Sequence, residues 1–411
     1  MAGTYLGSVV LAMEQGKRAG EMDTSVKSFP RLAVFLPNMK GGGAERVMVN
    51  LVDGFIQQGY AVDVVLVKAE GDYLKQLPAQ ARVVDLKAPN TYLALPGLIG
   101  YLRRQEPLAL LSTLNLANLV ALLAQRLCRH STRGIIRVES TVSIIKRSPH
   151  KKVLERAALK WVYPWADEII AVSHGVADDL AAYAGIARRR IRVIYNPVIT
   201  PRLYQLASLE PEHPWFQDTE EPVILGVGRL TGVKGFSTLI EAFALVRRQR
   251  PARLVIFGEG EQRARLENLA HALGVASDFD LPGFTSNPYA HMRRATVFAL
   301  CSLREGLPNV LIEAMACGCP VVSSDCPSGP AEILAGGRYG HLFPPQDAEA
   351  LASAILQVLA GDRRLPPASW LRQFDQEVVV GQYLHILGVK VAVEEAVASA
   401  VSPPGAQDER A

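Results

Sequence analysis

A chain of 411 residues, 49% apolar and 20% charged, has ample material for a buried core, and its length favours two globular domains over one. The longest apolar region, 91–128, is broken by Arg103, Arg104, Gln105, Glu106 and Pro107, so a transmembrane helix is not expected. Net charge is +4 but uneven, with +10 on residues 1–200, −6 on residues 201–411 and +9 on residues 101–160 alone.

That basic stretch includes Lys146, Arg147, Lys151, Lys152, Arg156 and Lys160. Such a surplus attracts anionic lipid, lipid-linked phosphate or nucleic acid; the alternative is a solvated helix face. The aromatic interleaving that single-strand nucleic-acid binding needs is sparse there, so nucleic acid is not expected as a partner. Five cysteines, four of them at Cys301, Cys317, Cys319 and Cys326, are too few and too uneven for a disulfide framework. Cys317-Gly318-Cys319 has no second pair or histidine at ligand spacing, which leaves reduced, buried thiols of a cytosolic protein.

In chain order, residues 1–29 read as a loose extension, since Glu14, Lys17 and Arg18 follow the apolar patch where a signal peptide would continue. Residues 30–199 form a first domain. Leu32-Ala-Val-Phe-Leu36 predicts a strand, Gly41-Gly42-Gly43 a loop, and Val47, Leu51 and Phe55 a helix ending near Gly59. Short apolar runs at 61–68, 108–113, 134–138 and 168–173 supply further strands between helical segments. Residues 200–222, rich in proline and polar residues, read as the linker.

The pattern restarts in a second domain, residues 223–398. Runs at 222–228, 252–257, 296–300 and 320–324 predict strands, and 237–248, 261–273 and 310–317 predict helices. The last helix of this domain could pack back on the first, and residues 399–411 read as a disordered tail. Strand–helix alternation in both halves predicts an α/β protein of two doubly wound, Rossmann-like domains with a ligand cleft between the carboxyl ends of their sheets.

A glycine loop between strand and helix lets backbone amides approach a phosphate. The first, Gly41-Gly42-Gly43, is followed by Ala44-Glu45-Arg46 and lacks the lysine of an ATP-type loop. The second, Gly226-Val-Gly228-Arg229, is followed by Lys234-Gly235, setting two cations five residues apart where a diphosphate would sit. Glu305-Gly306-Leu307-Pro308-Asn309 leads through a turn into a helix carrying Glu313, so two carboxylates eight positions apart could grip vicinal hydroxyls.

The Arg229/Lys234 pair, Glu305 to Glu313 and Ala314-Met-Ala-Cys-Gly-Cys-Pro320 together resemble glycosyltransferase family 4, with its two-domain GT-B fold. Val172-Ser-His-Gly-Val176, Tyr195-Asn-Pro-Val198, Gly258-Glu-Gly260, Gly283-Phe284 and Asp325-Cys-Pro-Ser-Gly-Pro-Ala-Glu332 follow that family's order. The resemblance implies a retaining, metal-independent hexosyltransferase that uses a nucleotide sugar, expected to be UDP-linked. It implies that Arg229 and Lys234 hold the diphosphate, Glu305 the donor sugar and Glu313 the ribose. Gly228 and the Gly306, Leu307 and Pro308 backbone would line the donor site; Gly42 and Gly43 would face the diphosphate, and Gly283 and Phe284 would border the base.

The segment Asp325–Glu332 resembles the branch that acts on lipid-linked oligosaccharides and surface polysaccharides. It implies transfer of an N-acetylhexosamine or hexose to an anionic, membrane-held acceptor, with the protein peripheral on the cytoplasmic face of the membrane. Lys146, Arg147, Lys151 and Lys152 are candidates for that side. Glu139 stands where some relatives carry a histidine, and either contacts acceptor or donor hydroxyls or caps the next helix. A UDP-sugar epimerase and a non-catalytic partner of a synthesis complex are the alternatives. Asp278-Phe279-Asp280 mimics a metal-binding D-x-D motif, but lies far in sequence from Arg229 and Lys234, so no metal or other cofactor is expected.

Overall fold

The computed structural model describes residues 30–128, 131–144, 148–217 and 221–388. The extension at 1–29, the tail at 399–411 and the cations Lys146 and Arg147 lie outside those residues. The first domain holds seven strands: β1 Arg31–Leu36, β2 Ala61–Leu66, β3 Arg82–Asp85, β4 Ala109–Thr113, β5 Arg133–Val138, β6 Glu168–Ala171 and β7 Ile191–Val193. They form one parallel sheet in the order β3-β2-β1-β4-β5-β6-β7. The second domain holds six: β8 Val223–Val227, β9 Arg253–Phe257, β10 Phe279–Gly283, β11 Val297–Leu300, β12 Val321–Ser324 and β13 His341–Phe343. These are also all parallel, in the order β10-β9-β8-β11-β12-β13.

The central strands are buried end to end because helices cover both faces, which is why they read as continuous apolar runs. Strand order reverses between β1 and β4 and again between β8 and β11. At such points the connections leave in opposite directions and open a crevice beyond the strand ends. Both glycine loops sit there, Gly41–Gly43 beyond β1 and Gly226–Gly228 at the end of β8.

The chain crosses between domains twice. The amides of Val198 and Ile199 both donate to the carbonyl of Phe374 at 3.0 Å, and the amide of Gln376 returns to the carbonyl of Ile199 at 2.9 Å. The final helix, Gln376–Leu387, then lies on the first domain, where Val379, Val380, Tyr383 and Leu384 join Val47, Leu51 and Phe55 in one core. A Cβ on Gly54 would come within 2.3 Å of Val380, so this helix docks closely against Gly43–Gln57. The linker region is structured as well. Helix Pro201–Ala207, capped by the Thr200 hydroxyl, packs on helix Pro288–Arg294 of the second domain, and Asn287 donates to the carbonyl of Leu206 at 2.9 Å. No helix among the described residues is long and apolar enough to cross a membrane.

Candidate active site

On the second-domain side, the loop after β9 sits directly on the loop after β8. A Cβ on Gly258 would lie 1.9 Å from the carbonyl oxygen of Gly228, so only glycine fits. Arg229 is exposed at this edge. Gly235, with φ +66°, closes the single turn Gly232–Lys234, and a Cβ on it would meet the Cys301 carbonyl at 2.1 Å. That close approach brings the turn against the end of β11, where the Leu303 amide donates to the Val233 carbonyl at 2.8 Å. As a result Lys234 Nζ lies 2.6 Å from Glu305 Oε1, with the side chains only 22% and 13% exposed. Two residues 71 positions apart in sequence are held as a pair at the end of the sheet.

Helix Asn309–Ala316 begins just beyond Glu305 and directs the first amides of its open turn back toward the cleft. Pro308 has no N–H, so of the Gly306, Leu307 and Pro308 backbone expected to line the donor site only Gly306 and Leu307 could donate to a phosphate. Glu313 lies one turn in and is 3% exposed. Its Oε1 accepts from Arg46 Nη1 at 3.0 Å and from the Tyr289 hydroxyl at 3.4 Å. Arg46 comes from the first domain, directly after the glycine loop, and its Nε donates to the Tyr73 hydroxyl at 3.0 Å. The Glu313 charge holds this guanidinium above its ordinary range against the opposing effect of burial. Sequence reasoning had cited Arg46 only to exclude an ATP-type loop; its position one turn past three glycines was the available signal.

Facing them, Gly42 is in extended backbone before the helix Gly43–Gln57, and Gly41 takes φ +117°. A Cβ on Gly43 would lie 3.6 Å from Asn309 Nδ2, so the first glycine loop stands across from the start of the Glu313 helix. Asn309 Oδ1 in turn accepts from Asn196 Nδ2 at 2.6 Å. Gly306 fits under the Glu139 carbonyl, where a Cβ would approach to 2.0 Å, and its own carbonyl accepts from Ser173 Oγ at 2.8 Å. Glu332, in the segment that suggested the lipid-linked branch, accepts from the His174 amide at 3.0 Å and the Tyr195 hydroxyl at 2.8 Å. That carboxylate therefore joins the domains, and His174 caps this contact through its backbone.

Glu139 follows β5 and is partly exposed to the cleft. Its Oε2 accepts from the Leu114 amide at 3.2 Å and the Thr113 hydroxyl at 3.3 Å. It caps no following helix through its side chain among the described residues; it is turned back toward β4. Burial pushes its carboxyl above the usual carboxylate range, with the Arg137 charge pulling the other way. Arg137 is 1% exposed and is held by Thr113 Oγ1 at 3.1 Å and Asn196 Oδ1 at 2.6 Å. A hydrogen-bond network thus runs from Glu139 through Thr113, Arg137 and Asn196 to Asn309, which sequence reading did not find because its members come from β4, β5, the loop after β7 and a helix of the second domain.

At the far end of the second sheet, Gly283 has φ +93° and Phe284 beside it is 78% exposed. Asp278 and Asp280 do not converge: Asp278 pairs with Arg247 at 2.7 Å and Asp280 with His213 at 3.0 Å. Among the described residues no cluster of three or more His, Cys, Asp or Glu is arranged to hold a metal. All five cysteines are free, and burial raises the thiols of Cys301, Cys317, Cys319 and Cys326.

Lys151 and Lys152 lie on helix Pro149–Val162, which buries only Leu159. Lys152, Arg156 and Lys160 recur every four residues, and so do Val153, Ala157 and Trp161, giving a basic stripe beside an apolar one. Val153 and Trp161 are each 70% exposed and Leu154 is 73% exposed. A shallow cavity of about 320 Å³ opens between this stripe and Ala184–Gly185. The charge surplus was legible in the sequence; the uncovered apolar stripe was not.

Two parallel-sheet domains face one another with a glycine loop at each switch point and the ion pairs Lys234–Glu305 and Arg46–Glu313 at the cleft. Residues 41–202 match the model described as Glycosyltransferase Family 4, and residues 212–368 the model described as Glycosyl transferases group 1. The chain belongs to these glycosyltransferases, which decides against the epimerase and the non-catalytic partner. It is 29% identical to the N-acetylgalactosamine-N,N'-diacetylbacillosaminyl-diphospho-undecaprenol 4-alpha-N-acetylgalactosaminyltransferase of Campylobacter jejuni, over 81% of this chain and 91% of that one. It is 28% identical to the lipopolysaccharide core biosynthesis glycosyltransferase LpsE of Rhizobium meliloti, over 85% and 97%. The fold, GT-B, is shared with a glycosyltransferase from Rickettsia africae (TM-score 0.72, 17% identity, 87% and 98% covered) and with Anabaena HepE in complex with UDP (TM-score 0.66, 19% identity, 90% and 100% covered).

Proposed function

We propose that this glycosyltransferase moves a hexose or N-acetylhexosamine from a UDP-sugar to a lipid-linked acceptor, with retention at the anomeric carbon and without a metal. The observation that carries the reading is the Lys234–Glu305 pair beside Arg229, at the switch point of the second sheet and across from the first glycine loop. Arg229 and Lys234 neutralise the departing diphosphate, Glu305 orients the donor sugar, and Glu313 grips the ribose. The acceptor hydroxyl attacks from the face the diphosphate leaves. The leaving phosphate oxygen takes the hydroxyl proton, the bond from the anomeric carbon to that oxygen breaks, and the new glycosidic bond forms without an enzymic nucleophile. Lys234 is already oriented by Glu305 at 2.6 Å, so little reorganisation is needed when the leaving group develops charge.

UDP as the carrier is supported by the UDP named for the HepE structure, and a lipid-linked acceptor by the diphospho-undecaprenol named for the Campylobacter relative. The acceptor side suits an anionic membrane: the helix with Lys151 and Lys152 presents cations beside Val153, Leu154 and Trp161, as interfacial helices do. This reading places the protein on the cytoplasmic face of a membrane, where nucleotide sugars are made. The test is a donor screen with anionic vesicles carrying lipid-linked acceptor, using UDP-, GDP- and ADP-sugars. Acceptor-dependent UDP release with labelled lipid is expected; release of GDP or ADP instead, or transfer only to a soluble sugar, would overturn the donor or acceptor assignment.

A further inference from the structure

Glu313 is a buried carboxylate whose cation partner comes from the opposite domain. Within its own domain it has the Tyr289 hydroxyl at 3.4 Å, and among the described residues its one ion pair is with Arg46 Nη1 at 3.0 Å. Arg46 is itself fixed from two sides, by the Tyr73 hydroxyl at 3.0 Å on Nε and by the Tyr289 hydroxyl at 3.3 Å on Nη1. It sits one helical turn past Gly43, the residue that stands 3.6 Å, measured from its added Cβ, from Asn309 at the start of the Glu313 helix. The first domain therefore reaches across the cleft with one guanidinium and touches one oxygen of one carboxylate. Among the described residues both hydrogen bonds to Glu313 fall on Oε1, which leaves Oε2 of a carboxylate with about four acceptor sites for a ligand.

We infer that Arg46 is a positioning residue for the donor: it completes the nucleotide site from the acceptor domain by holding Glu313 in the orientation that accepts the ribose hydroxyls. The inference rests on the assignment of Glu313 to the ribose. An isolated buried carboxylate is costly to keep charged, and a charge-assisted bond from a side chain already fixed by two tyrosines sets both its charge and its rotamer. The pair exists only while the domains face one another, so donor affinity is coupled to the closed arrangement of the cleft. Arg46 has no reacting atom to touch and acts through Glu313.

The experiment measures binding of UDP and of 2′,3′-dideoxy-UDP to the full chain, with GDP and ADP and their dideoxy forms run alongside. Wild type, Arg46→Ala, Arg46→Lys and Glu313→Gln are compared. Wild type should prefer the ribonucleotide, and Glu313→Gln should lose most of that preference. Arg46→Ala should weaken UDP by roughly tenfold while leaving dideoxy-UDP within about twofold, because a charge-assisted bond is lost only where the hydroxyls report it. Arg46→Lys should restore part of the preference. A role in packing alone would weaken both nucleotides equally and overturn the inference. Tighter UDP binding by Arg46→Ala would also overturn it, since Arg46 would then compete with the nucleotide. If Glu313→Gln keeps the full ribose preference, the ribose assignment fails and the inference with it; if Glu313→Gln loses it and Arg46→Ala does not, only the inference fails.

Discussion

The two walls of the cleft are built differently. On the second-domain wall, the charges assigned to the donor lie in two contiguous segments, Gly226–Gly235 and Glu305–Glu313, each beginning at the end of a central strand. On the first-domain wall, Thr113, Arg137, Glu139 and Asn196 come from the ends of two strands, β4 and β5, and the loop after β7, and are joined only by folding. A nucleotide diphosphate is a fixed chemical object that one loop and one helix turn can hold. On the proposed reading an acceptor on a membrane is met by a surface, for which the helix with a basic and an apolar stripe is the candidate, and such a surface carries no short motif.

Replacing Lys234 with Ala is expected to have the largest effect, because the contact strengthens as the leaving group gains charge. A loss of about 2.7–4 kcal/mol in transition-state stabilisation, or roughly 100- to 1,000-fold in turnover, is expected with little change in melting temperature. Parallel turnover and thermal-unfolding measurements check it, and near-normal turnover would remove the contrast between the walls.

The contact between the walls comes next. Gly306→Ala adds a Cβ that would lie 2.0 Å from the Glu139 carbonyl oxygen, so the domains must part. Misplacement on the order of 1 Å lowers rate by roughly 100-fold, and small-angle scattering should show a larger radius of gyration than wild type. A smaller effect is expected at the membrane surface. Converting Lys151 and Lys152 to Ala removes two charges, each worth about 1 kcal/mol near an anionic surface, which vesicle sedimentation would read as roughly 30-fold weaker binding. Trp161 emission should shift to the blue on vesicle binding in wild type; unchanged emission would return this helix to solvent.

The smallest effect concerns Glu139. Its carboxyl is held above the usual range, so the folded state binds that proton more tightly than the unfolded chain. Stability then falls as pH rises from the ordinary carboxylate range through the titration of Glu139, and levels off above it. Glu139→Gln removes that fall, so its melting temperature should gain on wild type as pH rises, with little difference at low pH.

Much of the fold was legible because buried parallel strands are continuous apolar runs and their glycine loops interrupt them. Strand β3, with Arg82 and Asp85 among four residues, gave no apolar run because it is an exposed edge; β13 is only three residues long. The linker helix Pro201–Ala207 was hidden by its proline, which occupies the first turn, where a missing N–H costs nothing. Within the site, Lys234 and Glu305 were each visible as charges beside glycine turns. The Arg46–Glu313 pair spans 267 residues, so the glycines before Arg46 mark its place beside the cleft but no local pattern names its partner across the domains.

The central claim is that fixed protein charges on the second-domain wall stabilise the leaving diphosphate without a bound cation. The most direct measurement is the initial rate of sugar transfer to the lipid-linked acceptor after exhaustive treatment with EDTA, before and after adding back Mn²⁺ or Mg²⁺. An unchanged rate in chelator, with Lys234→Ala slow under both conditions, is the predicted result. A rate that collapses in EDTA and returns with Mn²⁺ would contradict the claim.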